Sequence, residues 1–314
     1  MANLKPIDGD DNHAVIVEVG LRDGLQAIKK ILTPEQRAEL ILSLIEAGIH
    51  HIEVGSFVSP KKVPQLSDTG IVAELIGIQE GIITSALIPN ERGLYEALQT
   101  SIDEYAVFIG ATDEFTLGNI GKTVQQALET YQEIIKIAFA RGKKVRGYLS
   151  CIVRCPYSGA VSSIQVARLV DKLLEIGCYE VSLGETLGVA TPADIEKVLH
   201  NLGNISLTKH VALHLHNTFG QALANILRGL DLGIRRFDAG VGGFGGCPFA
   251  PGSAGNLATE DLVYLLNGLG IKTGININAL PQITRKISTL TGESAHSLVS
   301  KALENQLSCK SVFP

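Results

Sequence analysis

Short runs of β-branched and apolar residues alternate with longer amphipathic segments along the whole 314-residue chain. The predicted strands are, in order, Ala14–Val19, His51–Gly55, Ile83–Ile88, Glu104–Ile109, Val145–Cys151, Tyr179–Leu183, Val211–His216 and Arg235–Ala239. One strand and its following helix take roughly 30 to 40 residues, which is the spacing of a parallel sheet. The alternation therefore predicts an α/β chain.

The helices predicted between these strands complete the pattern. They are Pro34–Ala47, Val63–Ile78, Glu91–Gln99, Lys122–Ala140, Ser163–Ile176, Pro192–Leu202 and Gln221–Leu232, followed by Thr259–Leu269, Ala279–Thr291 and His296–Glu304. Eight strands in strict alternation, with no linker, favour a (β/α)₈ TIM barrel with additional C-terminal helices. We expect one domain over 1–314, with the barrel at about 14–270 and the added helices at about 271–308. An open doubly wound sheet is the alternative, but no G-x-G-x-x-G follows the first strand.

A weak internal repeat supports the barrel. The segments Gly48–Gly55, Gly177–Gly184 and Gly233–Gly240 each begin and end with glycine around a strand of six residues. A glycine that ends a helix commonly adopts positive φ. We therefore expect each of these three segments to join a helix to the next strand in the same way.

Composition excludes several classes of function. A net charge of −5 gives no basic patch, so nucleic acid is not an expected partner. No apolar run is long enough to cross a membrane, and the first 13 residues resemble neither a secretory nor a mitochondrial signal. The five cysteines are an odd number without framework spacing and are expected to be reduced thiols. These features predict a cytoplasmic protein without a membrane partner.

Polar residues gather at the predicted carboxyl ends of the strands, where a TIM barrel carries its chemistry. They are Glu18, Arg22, Asp23, Glu53, Ser150, Cys151, Glu185, His214, His216, Cys247 and Asn256. The opposite ends of the strands are expected to carry little of this kind. The sequence thus predicts an active site at one end of the barrel.

The sharpest local signal is His214-Leu215-His216. Residues i and i+2 of a strand point to the same face, so both imidazoles are expected to face the barrel mouth. Two imidazoles with the carboxylate of Asp23 and the amide oxygen of Asn256 form a mixed nitrogen and oxygen set that suits a divalent cation. Two histidines hydrogen-bonded within a polar layer are the alternative.

Arg22 and Asp23 directly follow the first predicted strand. A guanidinium is always charged and donates in a fork, so Arg22 suits an oxyanion while Asp23 suits a metal. A surface ion pair in a turn is the alternative. Glu53 lies mid-strand among apolar residues, where a carboxylate is costly unless it is paired. Arg22 on the adjacent strand is its expected partner.

The segment Val241–Asp261 follows the last strand and contains six glycines and two prolines. So much glycine lets a ligand approach the backbone closely. The segment ends where Thr259-Glu260-Asp261 precedes an apolar run, which indicates a helix start. We expect an ordered loop that presents the thiol of Cys247 and the amide of Asn256. A small buried cysteine is the alternative for Cys247.

Together these stretches resemble the 3-hydroxy-3-methylglutaryl-CoA lyases of the DRE-TIM metallolyase group, from Glu18 to about Gly270. The matching motifs are EVGLRDGLQ at 18–26, IEVGSFVSPKKVPQLSD at 52–68, GYLSCIVRCPYSG at 147–159, VSLGETLGVATP at 181–192, HLHNTFGQALAN at 214–225 and GGFGGCPFAPGSAGNLATEDLVYLLNGLGI at 242–271. Related Claisen-condensing synthases share the Arg-Asp and H-x-H motifs but lack the GGCP loop. The resemblance favours a lyase over a synthase.

This resemblance implies the reaction and the roles of its residues. The reaction would be metal-dependent cleavage of 3-hydroxy-3-methylglutaryl-CoA into acetyl-CoA and acetoacetate, with Mg²⁺ or Mn²⁺ as cofactor, an acyl-CoA as the small-molecule partner, and a homodimer as the assembly. Asp23, His214, His216 and Asn256 would ligate the metal. The catalytic residues would be Arg22, Asp23, Glu53, His214 and Cys247, of which Arg22 stabilises the enolate, Cys247 protonates it and Glu53 positions Arg22. Substrate contacts would come from Arg22, Gln26, Ser150 and Glu185.

Several positions depart from the family pattern. Glu185 and Asn217 stand where the family usually has aspartate, and Leu21 replaces its proline before the Arg-Asp pair. The departures cluster around the predicted mouth. They leave open a related substrate, such as a citramalyl-CoA-like or longer-chain 3-hydroxy-3-carboxyalkyl acyl-CoA, or a relative that binds acyl-CoA or metal without turnover.

Overall fold

Eight parallel strands form a closed barrel in the computed structural model, which describes residues 12–203, 210–245 and 255–308. The barrel strands are β1 (Val15–Glu18), β2 (His51–Ser56), β3 (Ile83–Leu87), β4 (Glu104–Gly110), β5 (Lys144–Ser150), β8 (Val181–Glu185), β9 (Val211–Leu215) and β10 (Arg236–Ala239). Each pairs with the next barrel strand along the chain, and β10 closes onto β1. The predicted TIM barrel is confirmed, and the doubly wound alternative is wrong.

The helices pack around the outside of this barrel. They are α1 (Pro34–Glu46), α2 (Thr69–Ile76), α3 (Glu91–Ala97), α4 (Asp113–Ile120), α5 (Val124–Ala140), α6 (Ser163–Glu175), α7 (Pro192–Asn201), α8 (Ala222–Asp231), α9 (Thr259–Gly268), α10 (Leu280–Thr291) and α11 (Leu298–Ser308). Each amphipathic helix buries its apolar stripe against the strands, as Leu40, Ile41 and Leu44 do on α1. The predicted C-terminal helices are confirmed, with α10 packed on α1.

One predicted helix is broken in the structure. The segment Val63–Ile78 contains only a short 3₁₀ turn at Pro64–Leu66 before α2, because Ser67 is extended and Asp68 has a φ of +58°. The buried guanidinium of Arg37 donates to the carbonyl oxygen of Ser67 at 2.7 Å and stabilises this interruption. A tertiary contact therefore overrides the helical pattern of the segment.

Two further elements were not expected from the sequence. Helix α4 follows β4 and is capped at its N-terminus by Thr112, whose hydroxyl accepts from the backbone N–H of Phe115. A small antiparallel hairpin, β6 (Arg154–Cys155) with β7 (Gly159–Ala160), interrupts the connection after β5. Both elements lie at the carboxyl ends of the strands, where insertions in this fold shape the substrate site.

The glycine repeat has the predicted structural role. Gly48, Gly177 and Gly233 follow helices and have φ values of +94°, +110° and +99°. At Gly48 an added Cβ would lie 2.4 Å from the carbonyl oxygen of Gly274, so only glycine fits there. The three junctions are equivalent helix-to-strand turns.

Two other predictions concern the redox state of the cysteines and membrane-spanning segments. Cys151, Cys155 and Cys178 are buried and form no disulfide, which agrees with the reduced state expected for them. Cys247 and Cys309 lie outside the described residues. Among the helices of the described ranges, none is long and apolar enough to cross a membrane.

Candidate metal centre and active site

Arg22 and Asp23 lie in a π-helical turn, Gly20–Gly24, directly after β1. Three successive backbone N–H groups, from Arg22 to Gly24, share the carbonyl oxygen of Val19, with the shortest distance of 2.7 Å at Asp23. Such wide turns are frequent at functional sites. This turn brings both side chains over the mouth of the barrel, as the position after the first strand predicted.

His214 and His216 belong to β9 and its end. Their side chains lie on the same face, with the two Nε2 atoms 3.3 Å apart. The Nε2 atoms of His214 and His216 are also 3.9 Å and 3.7 Å from Oδ2 of Asp23. Because three ligand atoms converge from two strands, the predicted grouping of these residues is confirmed.

The geometry of this metal-ligand group, Asp23, His214 and His216, fits a divalent cation. Two neighbouring ligands of an ion lie about 3 Å apart in octahedral and ~3.4 Å in tetrahedral coordination at typical metal–ligand distances. The observed separations of 3.3 to 3.9 Å require only small adjustments. All three residues are nearly buried, and such a set of nitrogen and oxygen donors suits a divalent metal.

Charge within the group also favours a cation. Burial opposes ionisation of Asp23, but the adjacent Arg22 guanidinium and the two imidazoles outweigh it and hold the pKa of this carboxyl well below its usual range. Burial lowers the pKa of His216, so that its ring is neutral near pH 7. An anionic carboxylate beside a neutral imidazole presents lone pairs, which is what a metal ion requires.

Asn256 reaches the same place from the segment after β10. Residues 256 and 258 form isolated bridges with His216 and Gly240, and the N–H of Leu257 donates to the carbonyl oxygen of Leu215 at 2.9 Å. The side-chain nitrogen of Asn256 donates to Oδ2 of Asp23 at 3.0 Å. A half-turn of this amide would direct its oxygen, the atom that ligates metals, toward the same point.

Arg22 is held by two carboxylates. Its Nε donates to Oε2 of Glu53 and its Nη1 to Oδ1 of Asp23, both at 2.6 Å. The predicted pairing of Arg22 with Glu53 is therefore confirmed. The hydroxyl of Tyr148 donates to the same Glu53 oxygen at 3.1 Å, and the Arg22 guanidinium lies 5.1 Å from the centre of the Tyr148 ring. Within the described residues no hydrogen bond uses Nη2 of Arg22, so its two N–H groups, with the second N–H of Nη1, are left for a ligand.

A cavity of about 450 Å³ opens above these residues. This volume is within the usual range for small-molecule sites. Its floor includes the metal-ligand group and Arg22. Gln26 and Ser150, which the sequence predicts as substrate contacts, also line it. Gln26 donates to Oδ1 of Asp23 at 2.9 Å, so it also orients the candidate metal ligand. One wall is apolar and is formed by Leu87, Ile88, Phe108, Phe115 and Ile120.

Glu185, another predicted substrate contact, lies apart from the cavity lining. Its neighbours Gly184 and Thr186 line the cavity, whereas the Glu185 carboxylate is buried beside the backbone N–H groups of residues 188–190. Burial raises the pKa of Glu185 to about 7, although those N–H groups oppose the shift. Its contact with substrate stays a prediction.

The second departure, Asn217, caps a helix. Its side-chain oxygen accepts from the backbone N–H of Ala222 at 3.2 Å, at the start of α8. An amide oxygen can accept this bond as a carboxylate oxygen would, so Asn217 satisfies a backbone donor at the start of the helix.

Two buried carboxylates support the chain that leads into the predicted thiol loop. Glu18 accepts from the N–H groups of Gly20 at 2.8 Å and Val241 at 2.9 Å, and Glu260 accepts from the N–H of Gly242 at 2.9 Å. Burial raises the pKa of Glu18 to about 7 against these donors. The sequence motif predicted Glu260 at a helix start, and this is confirmed at α9. The motif gave no indication that the Glu260 carboxylate also binds the backbone of Gly242. Cys247 itself lies outside the described residues.

The expectation that the opposite strand ends carry few charged groups is wrong. An inner charged layer lies below the metal-ligand group and consists of His51, Glu104, Arg146, Glu180, Arg236 and Asp238. Arg146 donates to Glu180 at 2.6 Å and to Asp238 at 2.7 Å, and Arg236 pairs with Glu180. The signal was present in the period of two along the strands, as in Arg146-x-Tyr148-x-Ser150, which places all three side chains inside the barrel.

The fold and this site define the chain as a TIM-barrel enzyme with a candidate divalent-metal centre at the barrel mouth. Comparison with known proteins then gives its family. A family model described as HMGL-like matches residues 13–287, and the chain belongs to this family. The family assignment expected from the sequence motifs is confirmed.

Individual relatives extend over nearly the whole chain. A Bos taurus protein named mitochondrial hydroxymethylglutaryl-CoA lyase is 44% identical, covering 91% of this chain and 88% of its own. A Pseudomonas aeruginosa protein named 3-hydroxy-3-isohexenylglutaryl-CoA/hydroxy-methylglutaryl-CoA lyase is 42% identical, covering 92% and 96%. An Acinetobacter baumannii HMG-CoA lyase, solved with coenzyme A and 3-methylmalate, superposes with a TM-score of 0.90 at 34% identity, covering 98% and 99%.

Proposed function

We propose that this chain cleaves 3-hydroxy-3-methylglutaryl-CoA into acetyl-CoA and acetoacetate with a divalent metal, Mg²⁺ or Mn²⁺. The observation that carries the proposal is the convergence of Asp23, His214 and His216 beside a buried, carboxylate-paired Arg22 at one end of the cavity. The family and the full-length relatives named for this activity support it.

The reaction breaks the bond between C2 and C3 of the substrate. The 3-hydroxyl would give its proton to water in the cavity and become the ketone of acetoacetate, while the electrons of the broken C2–C3 bond move onto the thioester as an enolate. Asp23, His214, His216 and the Asn256 oxygen would hold the metal, which supplies a Lewis acid that lowers the pKa of the hydroxyl. His214 is buried beside Asp23, where both contribute to the polar floor on which the hydroxyl must lie.

Arg22 stabilises the enolate oxygen. Its Nε and one N–H of Nη1 are bound to Glu53 and Asp23, so the directions of the remaining donors, which include both N–H groups of Nη2, are fixed before substrate binds. A donor that already points at the developing negative charge does not have to reorient during the reaction. Such a donor contributes about 10²- to 10³-fold to the rate.

Glu53 acts through Arg22 rather than on substrate. It is fully buried, accepts from both Arg22 and the Tyr148 hydroxyl, and so fixes the guanidinium from below. Cys247 would finish the reaction by giving a proton to C2 of the enolate as general acid. The segment that leads to Cys247 is held at Val241 and Gly242 by Glu18 and Glu260, which supports an ordered entry to the loop.

Gln26, Ser150 and Glu185 are the proposed polar contacts of the acyl group, together with Arg22. Gln26 and Ser150 line the cavity, whereas Glu185 would have to act through the backbone at 188–190 or through a change of rotamer. The coenzyme A portion is proposed to enter by the same cavity, since the Acinetobacter relative was solved with coenzyme A.

A related acyl-CoA with a larger substituent on C3 is a second candidate substrate. The Pseudomonas relative is named for both an isohexenylglutaryl and a methylglutaryl substrate. The apolar wall at Leu87, Ile88 and Phe108 is the kind of surface that such a substituent needs. We further propose a homodimer working in the cytoplasm.

The test is acetoacetate release by the purified protein with Mg²⁺, with Mn²⁺ and with EDTA. We expect metal-dependent release that falls by about 10²- to 10³-fold in Arg22→Gln, since one pre-oriented donor is lost. The matched control is Arg92→Gln, which removes an exposed arginine that pairs with Glu96 on α3. It should leave release unchanged.

Three outcomes would decide against parts of the proposal. Release that persists in EDTA would reject the metal. Absence of release with methylglutaryl substrate, but turnover of the isohexenyl analogue, would move the substrate to the second candidate. No cleavage of either thioester by metal-loaded protein would leave a binding protein without turnover.

A further inference from the structure

Asp238 lies inside the barrel on β10, directly beneath His214. Its carboxylate is fully buried, and Oδ2 is 3.2 Å from Nδ1 of His214. The strand register explains the contact, because Asp238 pairs with His214 across neighbouring strands β10 and β9. The residue therefore touches a candidate metal ligand on the side that faces away from the cavity.

The position of Asp238 is fixed from three directions. Arg146 donates through Nη2 to Oδ1 at 2.7 Å and through Nη1 to Oδ2 at 3.1 Å. The hydroxyl of Ser182 on β8 donates to Oδ2 at 2.7 Å. A bidentate guanidinium and a hydroxyl leave the carboxylate little freedom to move.

These donors also determine which hydrogen the His214 ring carries. A proton on Asp238 would have to displace one of the three N–H or O–H donors, so the carboxylate is an acceptor on every side. Its partner at His214 must then donate, which places the hydrogen on Nδ1. The Nε2 lone pair is left facing Asp23 and His216.

We propose that Asp238 is a positioning residue that holds His214 in the Nδ1–H tautomer and fixes its ring for metal binding, an inference that rests on the proposed metal centre. His216 has no such device: among the described residues its Nδ1 has no hydrogen-bond partner. The inner charged layer thus acts on the site through one histidine. Arg146 lies behind Asp238 and sets its geometry through two hydrogen bonds.

The first measurement is the tautomer of His214 in the metal-free protein. Long-range ¹⁵N–¹H correlation spectra distinguish the two tautomers of each histidine, and a His214→Gln variant assigns the signal. We expect the Nδ1–H form in the wild-type protein. We expect a mixture or the Nε2–H form in Asp238→Asn, because an amide nitrogen facing the ring favours an acceptor at Nδ1.

The second measurement is Mn²⁺ affinity, by calorimetry or by paramagnetic resonance of free Mn²⁺. Replacing a buried partner of a ligating histidine typically weakens metal binding 10- to 100-fold, and we expect a loss of this size in Asp238→Asn. Glu180→Gln is the matched control. It removes a carboxylate from the same arginine but has no contact with His214, and its Mn²⁺ affinity should stay at the wild-type value.

The outcomes are distinct from those of the proposed lyase activity, since neither measurement uses an acyl-CoA. An Nε2–H tautomer in the wild-type protein would overturn the proposal, even if Asp238→Asn did not fold. Equal losses of Mn²⁺ affinity in Asp238→Asn and Glu180→Gln would also overturn it, because they would show a general effect of the charged layer. Ser182→Ala, which removes one donor to Asp238, should give a smaller loss than Asp238→Asn.

Discussion

Two layers of polar side chains lie inside this barrel, and they differ in how their groups are satisfied. In the metal-ligand group at the mouth, Asp23, His214 and His216 direct lone pairs at one point beside the cavity. In the inner charged layer, cations and anions alternate, and the single guanidinium of Arg146 donates to both Glu180 and Asp238. The first layer thus presents lone pairs to a ligand, whereas in the second Arg146 and Arg236 already pair with Glu180 and Asp238.

This difference separates a binding site from a structural network. Both layers are buried, and both hold groups with perturbed pKa values, so neither burial nor a shifted pKa identifies the site. The distinction lies in where the side chains point. Three ligand atoms that converge on one point can bind a metal, whereas an arginine between two carboxylates already has its partners.

The largest expected effect is on the inner layer. Arg146→Met would leave the Glu180 and Asp238 carboxylates short of their shared cation, and we expect the free energy of unfolding to fall by about 3 to 5 kcal/mol. Urea denaturation followed by circular dichroism measures this loss. Arg22→Met is the matched variant at the mouth, where water in the cavity can reach Asp23 and the Tyr148 hydroxyl still donates to Glu53. It should cost less stability while removing more activity. Equal stability losses in the two variants would erase the distinction between the layers.

The next effect is stabilisation by metal, which should depend on the metal-ligand group at the mouth and not on the inner charged layer. A ligand present at about 100 times its Kd stabilises the native state by ~2.7 kcal/mol, so Mn²⁺ at that excess should raise the Tm of EDTA-treated protein by roughly 5 °C. His216→Gln removes one ligand and should abolish the rise. Glu180→Gln, in the inner layer, should retain it. A rise that survives His216→Gln would place the metal elsewhere.

The smallest effect is a pH dependence of the inner layer. Burial, with the positive charges of Arg236 and Arg146, holds the pKa of His51 well below its usual 6.5. Below pH 6.5, His51 therefore binds a proton in the unfolded chain but not in the native chain, and stability is lost as the pH falls. The slope is at most about 1.4 kcal/mol per pH unit, so between pH 6.5 and pH 5 we expect a loss of ~2 kcal/mol from His51.

His51→Gln is the comparison for this loss, since glutamine is neutral at every pH. The difference in unfolding free energy between wild type and His51→Gln should shrink or reverse from pH 7 to pH 5. Glu104, whose pKa burial raises, contributes to both proteins and largely cancels in the difference. Parallel curves for the two proteins would show that His51 is charged in the native state.

The chain order of strands and the site at the mouth could be predicted because both depend on local patterns. Alternating apolar segments, glycine after helices and His214-x-His216 each act over a few residues, and the parallel barrel follows from their repetition. The Arg22 pairing with Glu53 could be inferred because a mid-strand carboxylate requires a cation, and the neighbouring strand offers one.

What the sequence by itself determined was therefore the fold, the family and the grouping of Asp23, His214 and His216 at the mouth. The tertiary structure alone decided which buried charges meet inside the barrel. Arg146 and Asp238 are 92 positions apart and lie on strands that are not neighbours, so their contact depends on barrel closure and register. The same holds for the break before α2, where Arg37 binds Ser67. Local patterns cannot encode such contacts, because the partners share no segment and their pairing depends on distances set by the whole fold.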